Sequence, residues 1–204
     1  ELEGGWLPVI LREAGNPALA TERLVLTAAH FESAAALCAQ GESARRFEAL
    51  MNWYACLWAT NHDLPQLQAI LEQAGRAAQQ TGAAESLARA SLLRGVNLVS
   101  QGQWEEAGVF LEDALQRAQP NVPNVELEAR LELANILQYK HRFAEAREHL
   151  EKALTLSNRL SDLRAEARVR WDLNLFDGDA AGQARFALEL VERDDFGDSD
   201  SAVG

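Results

Sequence analysis

A chain of 204 residues that is 48% apolar and 25% charged has the make-up of one ordinary globular domain rather than of a disordered segment. No run approaches the roughly 18 consecutive apolar residues of a membrane span, so no membrane partner is expected. A net charge of −12 and an isoelectric point near 4.8 set the average surface against phosphate and argue against nucleic-acid binding built on counterion release.

β-branched residues are sparse, while Ala, Leu, Glu, Gln and Arg dominate. These residues lose least on entering a helix, and the predicted fold class is all-α. In chain order, "WLPVILREAG" reads as a short helix, followed by a Gly-Asn-Pro turn and a long apolar helix from about Ala18 to Gln40 that Gly41 stops. This makes a first hairpin over residues 6–41.

Three later segments can be superposed by their turns: "TNHDLPQLQAILEQA", "SQGQWEEAGVFLEDA" and "QYKHRFAEAREHLEKA". Leu64, Trp104 and Phe143 follow the turn in each, which sets a period of about forty residues, inside the range of solenoid repeats. Each period holds two apolar stripes at helical spacing, one on either side of its turn. The predicted hairpins span residues 42–82, 83–120, 124–160 and 161–194, in one repeat domain over 1–194. Residues 195–204, acidic and poor in large apolar groups, read as a tail or the start of a linker.

The small residues explain how the hairpins close. Gly95 lies on a first helix and Ala107 on the second, and they face each other only if two backbones approach closely. A glycine in mid-helix costs about 1 kcal/mol relative to alanine, so tight seating of the second helix has to offset it. Ala134 and Ala146 repeat the arrangement, Leu150 and Ala153 match Leu111 and Ala114, and Pro120 stops the third hairpin.

Gly95, Trp104, Ala107, Leu111, Ala114 and Pro120, with Ala134, Phe143, Ala146, Leu150 and Ala153 in the next period, resemble the tetratricopeptide repeat. The hairpin before keeps Ala55, Leu64, Leu71 and Ala74 but has Leu67 where that family has alanine, and the hairpin after puts Trp171 at the small position. Terminal units of a stack depart from the consensus because they cap it. The long period is similar to that of the helical sensor regions of bacterial signal-transduction ATPases and their attached transcription activators.

The resemblance implies a right-handed superhelical solenoid of antiparallel hairpins whose first helices line a concave binding face. It projects onto that face Asn52, Arg89, Leu92, Val96, Asn135, Gln138, Tyr139, Arg168 and Asp172. Such a mixed groove suits a peptide or protein partner, or a small effector, because Asn and Arg can bond a peptide backbone or fork onto a carboxylate. The terminal-carboxylate clamp of the family's chaperone-binding members is not expected, since Leu92 and Leu131 stand where it needs polar groups. The other reading is self-association, for instance as a homodimer, with no separate ligand.

No catalytic pattern emerges, and no enzyme activity or cofactor is expected. The glycines form no phosphate-binding motif, and His30, His62, His141 and His149 fall in no metal-binding spacing. Glu145 and His149 read as a solvated helix face, and "FDGDAAGQ" as a helix turn rather than a calcium loop. Met51, Trp53, Tyr54 and Trp58 read as core, Cys38 and Cys56 as buried thiols, and "YKHR" as a solvated turn. The chain starts at Glu1 without a signal-peptide pattern and is read as a piece of a longer cytoplasmic protein.

Overall fold

A computed structural model describes residues 17–38, 41–60, 64–118 and 121–177, with single positions 182, 185 and 188 beyond them. Among these residues every regular element is a helix, so the described part of the chain is all-α. The elements are α1 (Pro17–Leu37), α2 (Ser43–Thr60), α3 (Leu64–Thr81), α4 (Ala84–Ser100), α5 (Trp104–Ala118), α6 (Pro123–Tyr139), α7 (Phe143–Leu160) and α8 (Leu163–Asp177). The short helix at "WLPVILREAG", Pro120, all but those three positions of the second helix of the last hairpin, and the tail lie outside the described residues. None of the described helices is long and apolar enough to cross a membrane.

The chain divides into two compact units, Glu1–Arg117 and Ala118–Gly204. In the first, α1 packs on α2, α2 on α3 and α3 on α4. Its core gathers Phe47, Leu50, Tyr54, Cys56, Leu67, Ile70 and Ala74, all nearly inaccessible. Trp53 and Trp58 pack at its edge, and Trp58 stacks on Tyr54 with ring centroids 5.8 Å apart. The aromatic cluster is thus core, as its helical spacing indicates. Cys56 is fully buried, and burial pushes its thiol up to about 12, whereas Cys38 is half-buried.

The start residues inferred from the turns are the first residues of three helices: Leu64 opens α3, Trp104 opens α5 and Phe143 opens α7. From each start the same stripe runs inward. Leu67, Leu71, Ala74 and Ala78 on α3 have counterparts in Ala107, Leu111, Ala114 and Ala118 on α5, and in Ala146, Leu150, Ala153 and Ser157 on α7. None of these twelve side chains is more than 5% exposed. Their steps of three and four residues put each set on one helix face. The rings opening the helices are less buried than the stripe, with Phe143 49% exposed and Trp104 half-buried.

The close approach of α4 and α5 is a matter of ångströms. A Cβ on Gly95 would lie 2.6 Å from Leu111 Cγ, 2.7 Å from its Cδ2 and 3.4 Å from the carbonyl oxygen of Ala107. Leu111 is itself 0% exposed, so it cannot make room by swinging out into solvent without other core groups shifting. Gly95 is therefore glycine because a second side chain occupies the place of its own.

The turns repeat as well. Gln103 N donates to Leu98 O at 3.0 Å and Arg142 N to Leu137 O at 2.9 Å, closing the ends of α4 and α6 with equivalent six-residue bonds. Both turns need a left-handed residue. Gly102 supplies it at φ 73°, and His141 at φ 58°, where a side chain costs roughly 1–2 kcal/mol. Glu105 and Glu106 in the first turn of α5 and Arg117 in its last turn oppose the helix dipole at both ends.

In the second unit α6 packs on α7 and α7 on α8. Leu127, Leu131, Ala134, Leu150, Leu156 and Val169 form its core. Phe143 meets Phe176 edge-on, with centroids 5.8 Å apart. One charged pair is buried with this core: Arg130 donates to Glu126 Oε1 from Nη2 at 2.7 Å and from Nε at 3.1 Å. Their side chains are only 9% and 13% exposed.

Candidate functional site

Groups that could meet a ligand lie in two kinds of place. The first is on the first helices, taken within each unit by itself, where the sequence places its candidate residues. In the first unit Arg89 of α4 donates from Nη1 to Glu48 Oε1 of α2 at 2.6 Å, and its guanidinium lies 5.5 Å from the centroid of the Phe47 ring. Asn52 and Val96 are half-buried, while Leu92 is 8% exposed and offers a ligand no surface.

In the second unit the organising residue is Glu132, which the sequence reading passed over. It accepts from Arg168 Nη2 at 3.0 Å and from Asn135 Nδ2 at 3.2 Å. Asp172 stands in the same field. Burial raises its carboxyl above the ordinary value, Arg168 counters this, and Glu132 adds to it. Gln138 is half-buried, with its amide nitrogen enclosed and unpartnered, and Tyr139 is 62% exposed. The structure thus brings Asn135, Arg168 and Asp172 together around Glu132 and sets Tyr139 at the open end of α6.

The two ion pairs share one design. Each joins a Glu on one first helix to an Arg on the next, 41 residues on for Glu48 and Arg89 and 36 for Glu132 and Arg168. Being partly exposed, each contributes on the order of 1 kcal/mol or less. A ligand that engages either arginine has to exchange that internal bond for its own.

The second surface is a groove of about 580 Å³ in the first unit, walled by α3 and α5 with α4 as its floor. Leu71, Leu87, Val109 and Phe110 supply its apolar lining, and Arg76, Arg94 and Arg117 its cations. Arg94 lies over the face of Phe110, 4.3 Å from the ring centroid, a cation–π contact. Asp113 accepts from Arg117 Nε at 2.7 Å and from Ser91 Oγ at 2.6 Å. Burial pushes its carboxyl up, but the two hydrogen bonds and the charge of Arg117 win, and the net shift is downward.

Val109 and Phe110 stand outside the buried stripe of α5: Val109 is 65% exposed, and both line the groove. The stripe Ala107, Leu111, Ala114 and Ala118 already fills the buried face, and this was the legible sign that two further large apolar residues face elsewhere.

His149, read with Glu145 as a solvated face, is half-buried, and its Nδ1 is enclosed without a partner. Burial, with Arg130 and Lys152 nearby, lowers its pKa from the ordinary 6.5 against the weaker pull of Glu148 and Glu145. The unfolded chain therefore binds this proton more readily than the folded one, so the stability His149 contributes is full above pH 6.5 and is lost as pH falls below it. Urea unfolding of the parent chain and of His149→Gln at a series of pH values should show a steeper acid loss in the parent; equal slopes would contradict this environment. Glu145 itself accepts a bidentate bond from the exposed Arg142, which lowers its pKa.

Among the described residues no three His, Cys, Asp or Glu side chains gather into a group that could hold a metal ion. No protein-family profile matches the chain, and no curated protein is significantly similar to it.

Proposed function

We propose that this chain is a non-catalytic helical-repeat domain of the tetratricopeptide-like kind, stacked as a solenoid, that binds a peptide or protein partner and serves as the sensor or scaffold part of a larger bacterial regulatory protein. The observation that carries the reading is the shared register of the buried stripes on α3, α5 and α7. A stripe repeated about every forty residues is what a stack of equivalent hairpins requires, each burying on its neighbour the face it cannot bury alone. The Glu48–Arg89 and Glu132–Arg168 pairs support it, because each ties one first helix to the next.

A surface built this way recognises by shape and by hydrogen bonds from side chains such as Asn52, Arg89, Asn135, Arg168 and Asp172. It needs no convergent reacting groups. Selection of random displayed peptides on the purified full chain tests the reading. Enrichment of defined sequence classes is expected, with at least one class weakened by Arg89→Ala combined with Arg168→Ala. A chain on which no peptide enriches, or one with a turnover activity abolished by substituting its own residues, would contradict it.

A further inference from the structure

The groove between α3, α4 and α5 is a local exception to the chain's charge. The whole sequence carries −12, yet three arginines face this one depression. Arg117 is neutralised by Asp113. Arg76 and Arg94 pair with no carboxylate among the described residues, although Glu72 lies on the same wall. The Phe110 ring holds the Arg94 guanidinium carbon 4.3 Å from its centroid, a contact that does not use up the N–H donors of the guanidinium.

A second, independent observation lies where the groove continues. A recess of about 160 Å³ shares Leu71, Glu72 and Arg94 with it and is lined by the amides Gln68, Asn97, Gln101 and Gln103 and by the carboxylate of Glu106. Asn97 is 3% exposed, and its side-chain oxygen is buried without a hydrogen-bond partner. An enclosed amide oxygen left unpaired is destabilising, and a donor that reaches it through the recess relieves that cost. The N–H of a peptide bond is such a donor, and an amide side chain meets a peptide unit with both an acceptor and a donor.

We infer that this groove is a binding site, separate from the first-helix face, for a short acidic peptide segment: a carboxylate on Arg94 and Arg76, a neighbouring aliphatic or aromatic side chain on Leu71, Leu87 and Phe110, and the peptide backbone on Asn97. Charge complementarity selects this occupant. In the groove proper three arginines face two carboxylates, Asp113 and Glu72, so its walls keep a net positive charge that a carboxylate matches and a basic segment does not. A purely apolar segment would leave Arg76, Arg94 and the Asn97 oxygen unsatisfied. Glu72 and Glu106 face the recess, where the backbone of the peptide lies rather than its acidic side chain. The site rests on the partner-binding reading above and adds to it the place and chemistry of one partner.

The test uses random peptides displayed against the full chain, followed by affinity measurement on a synthetic peptide from each enriched class. One class should combine Asp or Glu with Leu or Phe. Its affinity should fall by about tenfold or more in Arg76→Glu combined with Arg94→Glu, as expected for loss of charge-assisted bonds, and should be unchanged in Arg159→Glu combined with Arg164→Glu, an equal change of charge at exposed positions outside the groove. The charge-reversed chain should enrich Lys- or Arg-bearing peptides in its place. Because Arg76 and Arg94 are exposed, helix content by circular dichroism should not change. Asn97→Leu should weaken the same peptide without lowering the melting temperature, since it removes an unsatisfied group.

Absence of an acidic class among enriched peptides, or an acidic class indifferent to the double charge reversal, would overturn the groove assignment and leave partner binding standing. Absence of any enrichment would overturn both.

Discussion

Replacing Glu126 by Leu is expected to lower the free energy of unfolding by about 3–5 kcal/mol, the effect of leaving a buried charge without its partner. Glu126 Oε1 takes two donors from Arg130, and the two side chains are 13% and 9% exposed. An exposed pair of the same spacing, such as Arg147 with Glu151, would register only about 0.3–0.5 kcal/mol. The difference lies in desolvation. The side chain of Arg130 is only 9% exposed, so loss of the carboxylate leaves its charge where water reaches it poorly. Combining Glu126→Leu with Arg130→Met should recover most of the loss, because two apolar side chains of similar size remove the charge and its partner together. Urea unfolding midpoints at unchanged slope measure all three variants. A single-variant loss below about 1 kcal/mol would mean that the pair is solvated.

Replacing Gly95 by Leu should cost about 3 kcal/mol, the upper part of the usual range for overpacking a core. The first atom of the new side chain already falls 2.6 Å from Leu111 Cγ, and three more carbons have to be placed beyond it. Leu111 is fully buried, so α5 has to shift away from α4 to make room, loosening Ala107 and Ala114 with it. The same urea experiment reads the loss, and a midpoint equal to that of the parent would show that the two helices are not in contact at this position.

How much of this was legible follows from what each feature depends on. Helix starts at Leu64, Trp104 and Phe143 could be read because turn residues and the stripe that follows are local and recur. The role of Gly95 could be read because an unfavourable helix residue, repeated as a small residue in the next hairpin, needs a compensating contact. Glu48 and Glu132 could not be found in the same way. Their arginine partners are 41 and 36 residues away, on a neighbouring helix, and no spacing within one helix marks such a pair.

The groove was hidden for a related reason. Arg76, Arg94 and Arg117 lie on three different helices and meet only once α3, α4 and α5 are assembled. For Glu126 and Arg130 the four-residue spacing is visible in the sequence, but the burial that makes the pair matter is set by the packing of α6. His141 adds a smaller surprise: it holds the left-handed position that Gly102 occupies one hairpin earlier, so turn position and residue type are less tightly coupled than composition implies.

The claim on which the rest stands is that successive helices nest through places where a side chain is missing, and two Gly→Ala substitutions in one hairpin test it most directly. At Gly108 a Cβ meets nothing within 4 Å, so Gly108→Ala should raise stability by about 1 kcal/mol through helix propensity alone. At Gly95 the same gain opposes a contact far inside van der Waals distance, and Gly95→Ala should lower stability. Urea unfolding of the two variants beside the parent chain should therefore give midpoints displaced in opposite directions. A Gly95→Ala midpoint that rises together with that of Gly108→Ala would contradict the account.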